Sequence, residues 1–170
     1  MIEIFSPNPI EEGEYFEEFS FTEKPFKLFL GGSIEQGIAK PWQQRVSAAF
    51  KNDRIVILNP RRPQWDSSWK NVASNKQFRQ QVEWELNGLE TCTAALMYFD
   101  PNTKSPISLL ETGLFAHDRL HNQSASGSKL HVVCPKGFWR KGNVDIVCER
   151  YYIDQYSSLT KAIAAIKELI

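Results

Sequence analysis

The sequence lacks the features that would assign it at once to several classes of protein. Its charges balance, with 20 basic and 20 acidic residues among 170, whereas dedicated nucleic-acid-binding proteins usually carry a basic excess. No apolar run approaches the length of a membrane-spanning helix. The first residues are acidic and precede no apolar core, unlike a signal peptide. We therefore expect a cytoplasmic protein that binds neither nucleic acid nor a membrane.

Cysteine and histidine are also scarce. The three cysteines form no close pair, which indicates reduced thiols rather than a disulfide framework; they are Cys92, Cys134 and Cys148. The three histidines show no recognisable zinc-ligand spacing with these cysteines; they are His117, His121 and His131. We therefore expect no metal site, and catalysis by cysteine is the less favoured alternative.

What the sequence does contain is an alternation of apolar runs and helical patterns, long enough for one domain over residues 1–170. Strands are predicted at Ile2–Phe5, Lys27–Gly32, Arg54–Pro60, Cys92–Phe99 and in KLHVVCP. Helices are predicted from Pro41, over Gln77–Glu90, from Pro106 to about Leu120 and over Leu159–Ile170. VDIVCERY is predicted as a short strand or helix, and an acidic connection covers Glu11–Glu23. Buried strands alternating with helices indicate an α/β fold, a doubly wound, mostly parallel sheet with helices on both faces.

Four polar loops follow the predicted strands: GGSIEQG, NPRRPQW, DPNTKSP and CPKGFWRKGN. Ligands of doubly wound sheets bind at the carboxyl ends of the strands, so these loops form one candidate ligand-binding edge. Each candidate has a plainer alternative. The glycines allow close approach of a ligand, or they only turn the chain. The arginines bind an anion or are solvated, and the tryptophans stack on a flat base or join the core. The aspartate reaches the ligand or forms a turn. These candidates are Gly31, Gly32, Ser33, Asn59, Arg61, Arg62, Trp65, Trp69 and Asp100.

Two glutamates occupy unusual places on predicted helices. Glu111 lies in a largely apolar helix that begins after Ser105, and periodicity places it on a face with Ile107, Leu114 and Phe115. The positive end of the helix dipole is expected to keep Glu111 ionised, and a poorly solvated carboxylate is a competent nucleophile. A salt bridge to Arg119 is the structural alternative.

Glu85 lies within or beside the predicted apolar stripe of its helix, which comprises Phe78, Val82, Leu86 and Leu89. A carboxylate there is costly to bury unless it is paired or changes its proton affinity. The alternative favoured by helix geometry alone is a structural glutamate at the edge of the stripe or paired with Arg79.

Together, FLGGSI, NPRRPQW, DPNTKSPISLLETGLFA and CPKGFWRKGNVDIVCERY resemble the nucleoside 2-deoxyribosyltransferase family, in particular its shorter, divergent members. The resemblance covers most of the chain between Phe29 and Tyr151. It implies a flavodoxin-like fold, a homo-oligomer with shared active sites, and transfer of 2-deoxyribose between nucleobases without a metal or organic cofactor. The substrates would be deoxynucleosides and free nucleobases, as in nucleotide salvage.

The same resemblance assigns roles to individual residues. Glu111 matches the nucleophile, and Glu85 matches an acid on the preceding helix that is usually aspartate. Asn143 matches an asparagine that reaches into the neighbouring subunit's active site and binds the 5′-hydroxyl of the sugar there. Two positions depart from the pattern: Phe29 replaces a tyrosine, and Ser105 replaces an aspartate six residues before the nucleophile. Asp100 is a candidate to supply the missing acid, and Ser105 a candidate to contact substrate.

Two rival functions fit the same residues. Water reaching the intermediate would make the protein an N-glycoside hydrolase, and Arg61 and Arg62 would suit a 5′-monophosphate substrate. A non-catalytic nucleotide-binding module would instead use Glu111 as a hydrogen-bond acceptor for a ribose hydroxyl.

Overall fold

The computed structural model describes residues 1–10, 25–34, 39–63, 65–66, 68–121 and 129–170, without the side chains of 117–121 and 129. The strands are β1 (Ile2–Phe5), β2 (Phe26–Gly32), β3 (Ile55–Asn59), β4 (Ala94–Tyr98), β5 (Lys129–Val133) and β6 (Asp154–Tyr156). The helices are α1 (Trp42–Phe50), α2 (Lys76–Thr91), α3 (Pro106–His121), α4 (Lys141–Arg150) and α5 (Leu159–Lys167).

The six strands form one sheet in the order β1-β3-β2-β4-β5-β6, and every neighbouring pair is parallel. Apart from β1, this order is the flavodoxin-like arrangement in which the first strand lies between the second and third. β1 extends the edge beyond β3, with Ile2 opposite Val56. The predicted flavodoxin-like, doubly wound α/β fold is confirmed.

The sheet separates two apolar layers, because alternate strand residues point to opposite faces. On β2, Phe29 joins the layer formed with α2, α3 and α4, whereas Leu28 and Leu30 join the layer formed with α1 and α5. All three side chains are fully buried. The strands therefore read as continuous apolar runs because both faces are covered.

The chain after β5 differs most from the sequence-based expectation. For VDIVCERY the helical alternative is confirmed, since its residues up to Arg150 lie in α4, but this helix already begins at Lys141, inside the segment predicted as a loop. The three-residue strand β6 was not predicted, because its sequence is DQY and its first two residues are exposed. The acidic connection Glu11–Glu23 lies outside the described residues. Among the residues that are described, no helix combines the length and apolarity needed to cross a bilayer.

Candidate active site

Helix α3 buries polar side chains and exposes apolar ones. Ser108, Glu111 and Thr112 are between 4% and 8% exposed. The exposed apolar side chains are Ile107, Leu110 and Leu114, at 60%, 59% and 56%. The expectation that Glu111 shares an apolar face with Ile107 and Leu114 is therefore wrong, whereas Phe115, the third residue of that face, is half-buried and packs against the core.

The N-terminus of α3 is held by a cluster of three hydroxyl groups. Those of Ser33, Thr103 and Ser105 lie 2.6–2.8 Å from one another. Ser105 has φ of 47°, and its carbonyl accepts the first helical hydrogen bond, from Leu109 (3.0 Å). Because Ser33 follows β2 and Ser105 precedes α3, the cluster fixes the helix that carries Glu111 to the end of a central strand.

The same cluster lies where the strand order reverses, between β2 and β4, which is where doubly wound sheets bind ligands. The backbone of Ser33 donates to Tyr98 (2.8 Å), and the backbone of Asp100 donates to Ser33 Oγ (2.8 Å). Gly32, at φ of 136°, lies against the Tyr98 backbone with no space for a Cβ atom. A side chain at Gly31 would meet the Met97 sulfur. Both glycines therefore have a structural reason independent of any ligand.

Asp100 is buried and forms a turn. Its Oδ1 accepts hydrogen bonds from the backbone and side-chain nitrogens of Asn102 at 2.9 and 3.0 Å. These contacts match the turn-forming alternative. A role for Asp100 in protonating a base stays a prediction.

Helix α2 brings a second carboxyl group to the same layer as α3. Its buried residues are Gln81, Trp84, Gly88 and Leu89, while Leu86 is 39% exposed. The buried face of α2 is therefore rotated about the helix axis relative to the predicted apolar stripe. Glu85 is half-buried beside this face and accepts a hydrogen bond from Gln81 Nε2 (2.9 Å). Arg79 pairs with Glu83 instead (3.1 Å), so the predicted Arg79–Glu85 pair is wrong.

The two glutamates influence each other electrostatically. Burial, reinforced by the negative charge of Glu85, raises the pKa of Glu111 to about 8. Burial also raises the pKa of Glu85, although the hydrogen bond from Gln81 opposes that rise. The expectation that the helix dipole keeps Glu111 ionised is therefore wrong at neutral pH. The negative charge of Glu85 opposes ionisation of Glu111, as expected for two interacting carboxyl groups.

The loop after β3 contributes the remaining polar candidates. Asn59 is buried and donates to Glu3 (2.7 Å), while its Oδ1 accepts from the Arg61 backbone (3.0 Å). Arg61 is half-buried and donates to Gln43 (3.3 Å). Trp65 is 41% exposed and packs edge-on against Trp69, with ring centroids 5.1 Å apart. Trp65 is therefore accessible for stacking, whereas the Asn59 side chain holds the sheet edge.

Asn143 is exposed in the first turn of α4.

The three cysteines are buried and form no disulfide. Burial raises the pKa of Cys134 to about 11 and that of Cys148 to about 12. Among the described residues, no group of three or more histidine, cysteine or acidic side chains is placed to hold a metal ion.

Residues 25–138 match the family model described as nucleoside 2-deoxyribosyltransferase like. The chain belongs to this nucleoside 2-deoxyribosyltransferase-like family. The matched region begins before β2 and includes Glu85, Asp100 and Glu111, whereas Asn143 lies beyond it. A comparison with curated proteins gives no match.

Within this family fold, Phe29 is an entirely apolar contact. It is fully buried, its ring lies 6.4 Å from that of Trp84, and a Cβ atom on Gly88 would collide with it. Trp84 and Gly88 flank Glu85 on the helix. Phe29 therefore supports α2 beneath the carboxyl pair without a hydroxyl group.

Sequence reasoning missed two polar residues of the candidate site. Gln81 is buried and contacts Glu85, and Thr103 completes the hydroxyl cluster. The spacing of Gln81, four residues before Glu85, was the available signal, since such residues are neighbours on a helix. No comparable signal pointed to Thr103, because its contacts with Ser33 join distant parts of the chain.

Proposed function

We propose that this protein transfers 2-deoxyribose between nucleobases by double displacement through a glycosyl ester of Glu111. The observation that carries the proposal is the buried carboxyl pair, in which Glu85 raises the pKa of Glu111. Helix α3 exposes leucines and isoleucine while burying this carboxyl, an arrangement that folding stability alone does not favour. Membership of the family supports the substrate class.

We infer that the pair shares a single proton, which suits the first displacement. The leaving base takes up one proton as its bond to C1′ breaks, and Glu111 must be ionised to form the new bond. We infer that the proton passes from Glu111 to Glu85 and then to a ring nitrogen of the base. The products are the glycosyl ester, an ionised Glu85 and a neutral base, so the total charge is unchanged.

The second displacement runs the same steps in reverse with an incoming base. The carboxylate of Glu85 takes the proton from the acceptor as its nitrogen attacks C1′, and Glu111 is released. Two inversions at C1′ retain the configuration of the deoxynucleoside, as in retaining glycosidases. Asp100 is the alternative acid, and Trp65 is a surface on which a base can stack.

The exposed apolar residues of α3 support a homo-oligomer. Ile107, Leu110 and Leu114 form a stripe along one side of the helix, and exposed apolar patches of this kind are typical of protein interfaces. Helix α4 contacts α3 and carries the exposed Asn143. We propose that a second copy covers the stripe and that each copy supplies Asn143 to its neighbour's site.

The first experiment follows deoxyinosine by chromatography with and without free adenine. We expect deoxyadenosine only when adenine is present, and none with the Glu111→Gln variant. Glu149→Gln, which changes an exposed glutamate of α4, is the matched control and should retain activity.

Two other results would reject the transferase. Equal release of hypoxanthine with and without adenine would identify an N-glycoside hydrolase. No turnover of purine or pyrimidine deoxynucleosides or their 5′-monophosphates, together with weaker nucleotide binding by Glu111→Gln, would identify a binding module.

A further inference from the structure

Gln81 is a buried side chain that makes three hydrogen bonds, one of them to Glu85. It is 5% exposed. Its Oε1 accepts a hydrogen bond from Ser6 Oγ (2.6 Å), and its Nε2 donates to the Pro60 carbonyl (2.8 Å) and to Glu85 (2.9 Å). Three separate parts of the chain therefore meet at one amide group.

The Pro60 carbonyl fixes the orientation of this amide. A carbonyl oxygen only accepts hydrogen bonds, so the nitrogen of Gln81 must face it and the oxygen must face Ser6. The second N–H of the same nitrogen then points to Glu85. If the amide rotated to present its oxygen to Glu85, that oxygen would also face the Pro60 carbonyl and the hydrogen bond to Pro60 would be lost.

We propose that Gln81 is a positioning residue that fixes one oxygen of Glu85 and keeps this carboxyl group the ionised member of the pair. An N–H donor stabilises a carboxylate more than it stabilises a neutral carboxylic acid. The hydrogen bond from Gln81 accordingly lowers the pKa of Glu85 against the effect of burial.

The charges around the pair agree with this assignment. The negative charge of Glu85 is the electrostatic cause that raises the pKa of Glu111. On α2 itself, Arg79 and Glu83 pair with each other on the exposed side. A more acidic Glu85 is also a better proton donor to the leaving base. This last step rests on the proposed function, whereas the effect on Glu85 does not.

The test measures the protonation of Glu85 directly by carbon-13 NMR of labelled glutamate carboxyl groups. Glu111→Gln serves as the background because it removes the coupled titration, and Glu85→Gln assigns the signal. In this background, Gln81→Met should raise the pH at which Glu85 titrates. Gln77→Met changes an exposed glutamine of the same helix and should leave the titration unchanged.

Ser6→Ala is the milder variant if Gln81→Met does not fold. It removes one of the three contacts of the amide, so it should move the titration of Glu85 in the same direction by less. An unchanged titration in every folded variant would overturn the proposal.

An activity measurement separates the positioning role from the proposed function. In the otherwise unaltered protein, Gln81→Met should lower kcat by about tenfold or more with little change in KM, since a hydrogen bond to a charged group is lost. A shifted titration in a protein that transfers no deoxyribose would reject the function and keep the positioning role. Transfer with an unshifted titration would reject only the positioning role.

Discussion

Helices α3 and α5 pack on the same sheet but bury different kinds of side chain. Helix α5 buries Leu159, Ala162, Ile163 and Ile166 and exposes charged residues such as Lys161. Helix α3 buries Ser108, Glu111 and Thr112 and exposes Ile107, Leu110 and Leu114. Burial of apolar area explains the orientation of α5, whereas α3 leaves three large apolar side chains exposed and buries a carboxyl group.

The difference shows what determines the orientation of each helix. The N-terminus of α3 is held by the hydroxyl cluster at Ser105. Further along α3, the buried Ala116 and the half-buried Leu109 and Phe115 pack in the layer shared with α2 and α4. The exposed stripe of α3 is then available to a second copy. Helix α3 therefore combines a buried carboxyl group with an exposed apolar stripe, the two features on which the proposed site and the proposed interface rest.

The largest expected effect is on folding stability in α5. Ile166→Ala should lower the free energy of unfolding by about 2–5 kcal/mol, because Ile166 is fully buried. Thr112→Val on the buried side of α3 should cost about 1 kcal/mol or less, because that hydroxyl only donates to the Ser108 carbonyl (2.7 Å). Urea unfolding measures both, with the exposed Lys161→Ala as control. Equal losses would show that polar packing holds α3 as strongly as apolar packing holds α5.

The next effect concerns assembly. Leu110→Asp should weaken self-association by about a hundredfold, because a charge would replace an apolar side chain at the proposed interface. Ala164→Asp, on the exposed side of α5, is the matched control. Sedimentation velocity over a range of concentrations measures both. A monomeric parent protein, or an oligomer unaffected by Leu110→Asp, would leave the stripe without its proposed partner.

A smaller effect is expected on thermal stability. The folded state retains a proton on Glu111 up to about pH 8, whereas the unfolded chain releases it near 4.5. Stability must therefore fall as pH rises through this window. Glu111→Gln should raise Tm above pH 8 and leave it nearly unchanged at pH 4. Calorimetry on this variant and Glu149→Gln tests the sign, and a benefit that is largest in acid would contradict it.

The smallest effect is the pH dependence of activity. Above about pH 8 the carboxyl pair loses the proton that the leaving base needs, so kcat/KM should fall about tenfold per pH unit. Deoxyadenosine is the suitable donor, because its base does not titrate in this range. A profile that stays flat to about pH 10 would mean that a group other than the carboxyl pair protonates the base.

Local patterns were sufficient for the fold. Continuous apolar runs predicted five of the six strands, because both faces of a parallel sheet are covered. β6 was not predicted, because its three residues, DQY, form no apolar run. The start of α3 at Pro106 was also predictable, since Ser105 and Pro106 favour the beginning of a helix.

The site was predictable only in part. Glu111 and Glu85 were identified as candidates, but the orientation of both helices was not. The stripe of α2 was misassigned because Gln81 and Gly88 carry no apolar signal, although both are buried. Gly88 is small enough for Phe29 to pack against the helix, a requirement set by a strand far away in the sequence.

The sequence by itself determined the class of fold, the elements of the central sheet and the edge at which the polar loops gather, because periodicity and turn residues act over short distances. Only the tertiary structure decided which side of α3 is buried, which residue holds Glu85, and that Glu111 keeps its proton at neutral pH. Those properties depend on burial and on charges brought together by α2 and α3. A carboxyl group's proton affinity is set by its surroundings in space rather than by its neighbours in the chain.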